Sequence, residues 1–124
     1  MQEYVKRVWD SCIGADLKEG FDAFGYPIKF NEYGLKSKHG WTIDHTWPLS
    51  PNGIDYANGS ESMQNLQVLS TKANNKKGNQ VTGKINNIVF AVTKASIDKN
   101  KNNIGRMKIQ KNNKWYWAYN DWKK

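Results

Sequence analysis

The side chains best suited to chemistry lie between Gly40 and Gly78. Asp44 and His45 are adjacent, and His45 is one of only 2 histidines in the 124-residue chain. Asn65 and Asn74 follow, and Lys76-Lys77-Gly78 closes the stretch. An imidazole titrates near neutral pH and suits proton transfer, while lysines suit the holding of an anion. Taken alone, the Asp44-His45 pair is weak ground. Neighbours on a strand point to opposite sides, and such a pair is more often a surface pair or a satisfied core histidine. The two can share a site only where the strand ends and the backbone bends.

The elements that must position these groups can be read around them. Trp41 to His45 alternates, with Trp41 and Ile43 on one face, and predicts a short inward-packing strand ended by Pro48 and Pro51. A surface loop is expected from Asn52 to Ser62. Leu66, Val68 and Leu69 give a second apolar element, and Ser70 is a good N-cap for a helix from Thr71 to Lys77, with Gly78 as its stop.

Upstream, Tyr4, Val5, Val8, Trp9, Cys12 and Ile13 have the spacing of an amphipathic helix that Gly14 ends, with Lys6 and Arg7 on its polar side. Asp16 to Phe24 predicts a short helix or turn closed by Gly20 and Gly25, and Tyr26 to Phe30 a short edge strand with proline at its start. Tyr33-Gly34 then turns into Lys36-Ser37-Lys38-His39, a solvent-exposed loop by default and a DNA contact on the sharper reading.

Downstream, Ile85, Ile88, Val89 and Val92 are spaced as in a helix, whereas their β-branching favours a strand. A helix over Lys84–Thr93 is the expectation. Ile104, Met107 and Ile109, then Lys111-Asn112-Asn113-Lys114, then alternating Trp115, Trp117 and Tyr119 predict a β-hairpin with an Asn-Asn turn, one aromatic face and one basic face. The three aromatics could stack on bases, although alternating aromatics in a hairpin more often pack into a core.

The length fits one domain, 1–124, with a core stretch at 40–78 and a basic extension at 79–124. Net charge is +8 and uneven: residues 1–69 carry 6 basic and 9 acidic side chains, residues 70–124 carry 13 and 2. A polyanionic partner is expected against the C-terminal half. Cys12 is the lone cysteine, so no intrachain disulfide forms, and a reducing, cytoplasmic setting is expected. Cys12, His39 and His45 are the only thiol or imidazole ligands, which excludes a Cys-rich structural zinc site. The start lacks the apolar core of a signal peptide, and the longest apolar run, Ile88–Val92, is too short to span a bilayer. No membrane partner is expected.

D-H-x-x-P-x-S followed by N-L-x-x-L-x-x-x-x-N-x-x-K-G resembles the HNH, or ββα-metal, endonuclease family in its HNN variant. The matching positions are Asp44, His45, Pro48, Ser50, Asn65, Leu66, Leu69, Asn74, Lys77 and Gly78. Ahead of them, Tyr33-Gly34 and Gly40-Trp41-x-Ile43 look like the lead-in of small phage and bacterial members. The resemblance implies an α+β fold whose core is two short antiparallel strands and a helix. It also implies His45 as general base, Asp44 and Asn74 as ligands of one Mg²⁺ or Mn²⁺ ion, and Asn65 as a brace for the loop carrying the base. Lys77 would hold a phosphate oxygen, with Lys72, Lys76, Lys84 and Lys108 as further nucleic-acid contacts. Double-stranded DNA is the expected substrate, with a protein partner or homodimer as possible means of targeting, in a bacterial cell or phage-infected host. A three-imidazole zinc site cannot be built from His39 and His45.

Several residues carry alternatives. Asn75 could replace Asn74 as ligand, and His39 could orient substrate. Asp55 and Glu61 could approach the metal, yet solvated charge is the commoner state of such loop residues. A non-catalytic DNA- or RNA-binding module on the same fold, or a basic ribosome-associated protein, is the competing class.

Overall fold

Local patterning accounts for most elements in the computed structural model, which describes residues 1–49 and 58–119; Ser50, Pro51 and Asp55 fall outside them. The chain is α+β, with two helices and three antiparallel sheets among the described residues. Helix α1 spans Glu3–Cys12 and buries Val5, Val8 and Trp9, the apolar stripe of the sequence. Strand β1 (Glu19–Phe21) forms where a short helix or turn is expected, and it pairs with β2 (Pro27–Lys29), the short strand expected over Tyr26–Phe30. Asp22 decides this: its Oδ1 accepts from the backbone N–H of Phe24 and Tyr26, and Gly25 supplies φ 84° for the turn.

Strands β3 (Trp41–His45) and β4 (Leu66–Ser70) form the second sheet, running straight into α2 (Thr71–Lys77). Ser70 caps α2 by accepting from Ala73 N–H at 3.0 Å, and Gly78 ends it at φ 51°. Asp22 reaches this junction as well, its Oδ2 accepting from Ser70 N–H at 2.9 Å.

The third sheet has the order β5 (Thr82–Ile85), β6 (Ile88–Ile97), β7 (Asn103–Lys111), β8 (Lys114–Trp117). The helix expected over Lys84–Thr93 is therefore corrected to the β5–β6 hairpin. Asn86 and Asn87 both take positive φ, 51° and 62°, and close a two-residue turn with Ile85 opposite Ile88. The helix-like spacing arose because alternation runs Ile88-Phe90-Val92 on one strand and restarts at Ile85 across the turn. Asn112-Asn113 makes the expected second turn, φ 52° and 64°.

Two cores result. Val5, Val8, Trp9, Ile28, Trp41, Leu66 and Val68 pack between α1 and one face of β3–β4. Leu69, Ala73, Phe24 and Trp47 pack with Ile85, Phe90, Val92, Met107 and Ile109 between the other face, α2 and the large sheet. The β3–β4 pair is thus covered on both sides, and polar groups on its strands must find partners inside. Among the described residues no helix is long and apolar enough to cross a membrane.

Candidate active site

Register puts Asp44 directly opposite Gln67, and Gln67 Nε2 donates to Asp44 Oδ2 at 2.9 Å. Ala73 and Lys77, one turn apart, form the buried stripe of α2. Lys77 is fully buried, with Nζ at 3.1 Å from Asp44 Oδ2 and 3.4 Å from Oδ1, and donates also to Thr46 O at 3.5 Å. This corrects the expectation for Lys77. Its ammonium points into the protein at Asp44, so it is not a surface contact for phosphate. Burial pushes the Asp44 carboxyl above its ordinary range, while Lys77, the Gln67 hydrogen bond and nearby His45 pull it back.

His45 is the last residue of β3, and the chain bends immediately after it, where Thr46 N–H bonds Asn65 O at 2.7 Å. Strand geometry sends Asp44 and His45 to opposite faces, and both lie at the end of β3 where the chain bends. The imidazole is about one-third exposed and its Nε2 contacts the Glu61 carboxylate. Glu61 thus meets His45; that a loop acid would do so was beyond reach of residue spacing alone.

Asn65 is fully buried and satisfies four backbone groups. Its Oδ1 accepts from Trp47 N–H at 2.9 Å and Gly105 N–H at 2.8 Å, and its Nδ2 donates to Trp47 O at 3.0 Å and Ser60 O at 2.8 Å. One side chain therefore ties the bend after His45 to the segment before Glu61 and to β7. Gly105 permits this approach, since a Cβ there would lie 2.8 Å from Trp47 N. Met107, two residues on, brings its Sδ to 3.7 Å from Gln67 Nε2, so β7 backs the site from behind.

Asn74 is half-buried and precedes Lys77 by three positions, on the flank of α2 that Lys77 turns toward Asp44. Asn75 is exposed and lines a different feature, an open cleft of about 420 Å³ beside the start of α2. Lys36, Lys38 and Lys72 meet at that cleft, and Lys72 and Lys76 hold their ammonium groups 5.1 and 6.0 Å from the Tyr26 ring. The Lys36–Lys38 segment is thereby joined to the surface of α2. His39 faces Glu32, at 3.9 Å from Nδ1 to Oε2, and makes no described contact with His45.

Lys84 and Lys108 lie elsewhere. Both project from the face of the large sheet opposite Phe90 and Met107, and hence opposite the face that backs the site. The structure joins Asp44, His45, Asn65 and Lys77, sets Asn74, Lys72 and Lys76 on the adjoining helix, and separates Lys84 and Lys108 from them. Sequence reading missed Gln67, whose only signal is a register that depends on pairing, and Asp22, whose turn chemistry was open to view. Among the described residues no three His, Cys, Asp or Glu side chains converge as a metal-binding group. No family model, curated protein or solved structure matches the chain.

Proposed function

We propose that this chain is a metal-dependent endonuclease of the HNH, or ββα-metal, class, hydrolysing phosphodiester bonds of DNA. The observation that carries the reading is the Asp44–Lys77 pair, which locks the end of β3 to α2 beside a partly exposed His45. Removing two charges from water costs several kcal/mol per ion, roughly, unless pairing and hydrogen bonds offset it. A small fold that keeps such a pair next to an accessible imidazole is arranged around that spot.

The proton chemistry follows from the acceptors present. An ionised Glu61 carboxylate can only accept, so the ring proton resides on Nε2 and the neutral imidazole presents Nδ1 as its lone pair. Nδ1 takes a proton from water as the water oxygen bonds to phosphorus. The bond from phosphorus to the 3′ oxygen breaks, and that oxygen takes a proton from solvent. The products are a 3′ hydroxyl and a 5′ phosphate. Asn65 fixes the bend that aims His45, and Lys36, Lys38 and Lys72 offer cations to flanking phosphates.

By type alone the donors suit a hard divalent cation. The Asp44 carboxylate and the Asn74 amide are oxygen donors of the kind that Mg²⁺ and Mn²⁺ take, and an ion at Asp44 would compete with the Lys77 ammonium for the carboxylate. Asp44 and Asn74 would hold one such ion, which when bound neutralises charge on the phosphoryl group and the leaving oxygen.

One observation favours a second reading, a non-catalytic nucleic-acid-binding module: Asp44 is only 6% exposed, with both carboxylate oxygens engaged by Lys77 or Gln67. Supercoiled plasmid incubated with Mg²⁺ or Mn²⁺ separates the two. Cleavage by the wild type, reduced by roughly 10²–10⁴ in His45→Ala, is expected for the enzyme. Plasmid that stays intact with either metal leaves the binding module standing.

A further inference from the structure

We propose that the outer face of the β5–β8 sheet is a separate platform for single-stranded nucleic acid, with Trp115 and Trp117 stacking on unpaired bases and Lys84, Arg106 and Lys108 meeting the phosphates. The proposal goes beyond the cleavage reading, because none of these residues belongs to the Asp44–His45 site.

Register assembles the face. Lys108 lies opposite Trp117 and Gln110 opposite Trp115 across β7–β8, while Ala91 and Thr93 of β6 neighbour Lys108 and Arg106. Alternation sends these side chains away from Phe90, Met107 and Ile109, which fill the core beneath. This corrects the sequence expectation at two points. The aromatic and basic side chains share one face, and the tryptophans stay out of the core at 44% and 42% exposure. Tyr119 departs from their alternation: it lies beyond β8, turned inward to donate to Val68 O.

Two indoles left in water on a sheet whose other face is packed are a contiguous apolar patch of the kind that marks binding surfaces. Their surroundings select the ligand. The Arg106 guanidinium sits 3.8 Å from the Trp117 ring centroid, and Lys108 Nζ 4.8 Å from that of Trp115. Together with Tyr116, Lys108 and the two tryptophans line an open hollow of about 430 Å³. Residues 79–119 hold 8 basic side chains against a single acidic one, Asp98, which sits in the β6–β7 turn. A polyanion with planar rings matches both features. In a duplex the bases stack on one another and offer no free face, so the rings call for unpaired bases. An acidic peptide would use the cations and leave the indoles unmatched, and a second copy would bring two like-charged faces together.

The test is fluorescence anisotropy with labelled oligothymidylate, oligouridylate and a duplex of equal length, in EDTA so that no cleavage intervenes. Both single strands should bind at least tenfold more tightly than the duplex and quench tryptophan emission, with affinity falling steeply as salt rises. Trp115→Ala with Trp117→Ala should weaken single-strand binding by about tenfold per ring or more, whereas Trp115→Phe with Trp117→Phe retains most of it. His45→Ala should leave it unchanged. If the double alanine chain fails to fold, Lys84→Glu with Lys108→Glu decides: unchanged single-strand affinity overturns the proposal. So does equal affinity for duplex and single strand, equal competition by poly-glutamate, or a dimer in sedimentation that the tryptophan variants dissolve.

Discussion

The β3–β4–α2 unit and the four-stranded sheet sort their side chains in opposite senses. In the first, Asp44, Asn65, Gln67 and Lys77 lie inside, each held by hydrogen bonds or an ion pair. In the second, Trp115, Tyr116 and Trp117 lie outside. An ordinary domain does the reverse in both places, so each inversion costs stability that packing elsewhere must offset. The difference gives the two proposed sites different physical grounds: buried polarity would hold groups in fixed orientation for chemistry, and exposed aromatic surface would take up a partner.

That contrast can be broken at its most expensive point. Lys77→Ala strands a buried carboxylate and should cost about 3–5 kcal/mol in denaturant unfolding. Asp44→Asn combined with Lys77→Met, which removes both charges and keeps volume, should recover most of that loss while abolishing plasmid cleavage. A Lys77→Ala chain as stable as wild type would show that the pair is not the organising feature.

Asn65→Ala comes next. It deprives four backbone groups of partners that cost about 1–3 kcal/mol each when unmet, and with water refilling some of them the net loss should be roughly 3 kcal/mol. Trp115→Ala on the sheet should stay within about 0.5 kcal/mol by the same melt. Similar losses at both positions would erase the distinction.

Tyr119 sits where the two regions join, accepting from Ala23 N–H and donating to Val68 O. Burial, then Cys12 and Asp22, push its phenol well above the ordinary range. A raised folded value means the native state holds the proton longer, so this stability is full below the ordinary phenol value and is lost as pH rises through the folded one. Tyr119→Phe should cost about 1 kcal/mol at neutral pH and flatten the alkaline fall in unfolding free energy. An unchanged alkaline slope would place the coupling elsewhere.

The smallest effects concern the two Asn-Asn turns. Asn87→Gly and Asn113→Gly ease a positive φ and should each stabilise by roughly 0.5 kcal/mol. Asn86→Ala should cost more than Asn112→Ala, since Asn86 Nδ2 also donates to Phe24 O at 2.7 Å. Thermal melts of the four variants would rank them.

These turns also show how far the chain could be read without coordinates. At 111–114 lysines flank the asparagines, so the apolar pattern stops and the turn is visible. At 85–88 isoleucines flank them, and the pattern runs on as though helical. The α1 stripe, the β3 and β4 strands, the Ser70 cap and the Gly78 stop were all legible, because each depends on a few neighbouring residues. His45 and Asp44 could be singled out for the same reason.

What only the tertiary structure decided involves distant pairs. That Lys77 turns inward to Asp44, that Glu61 meets His45, that Asn65 reaches Gly105, and that tryptophan and lysine share one open face all follow from register and burial. Local propensity is a property of a few adjacent residues, and sequence carries it directly. Register and the choice between inside and outside are set by the whole core at once, as strands slide until every buried polar group finds its partner.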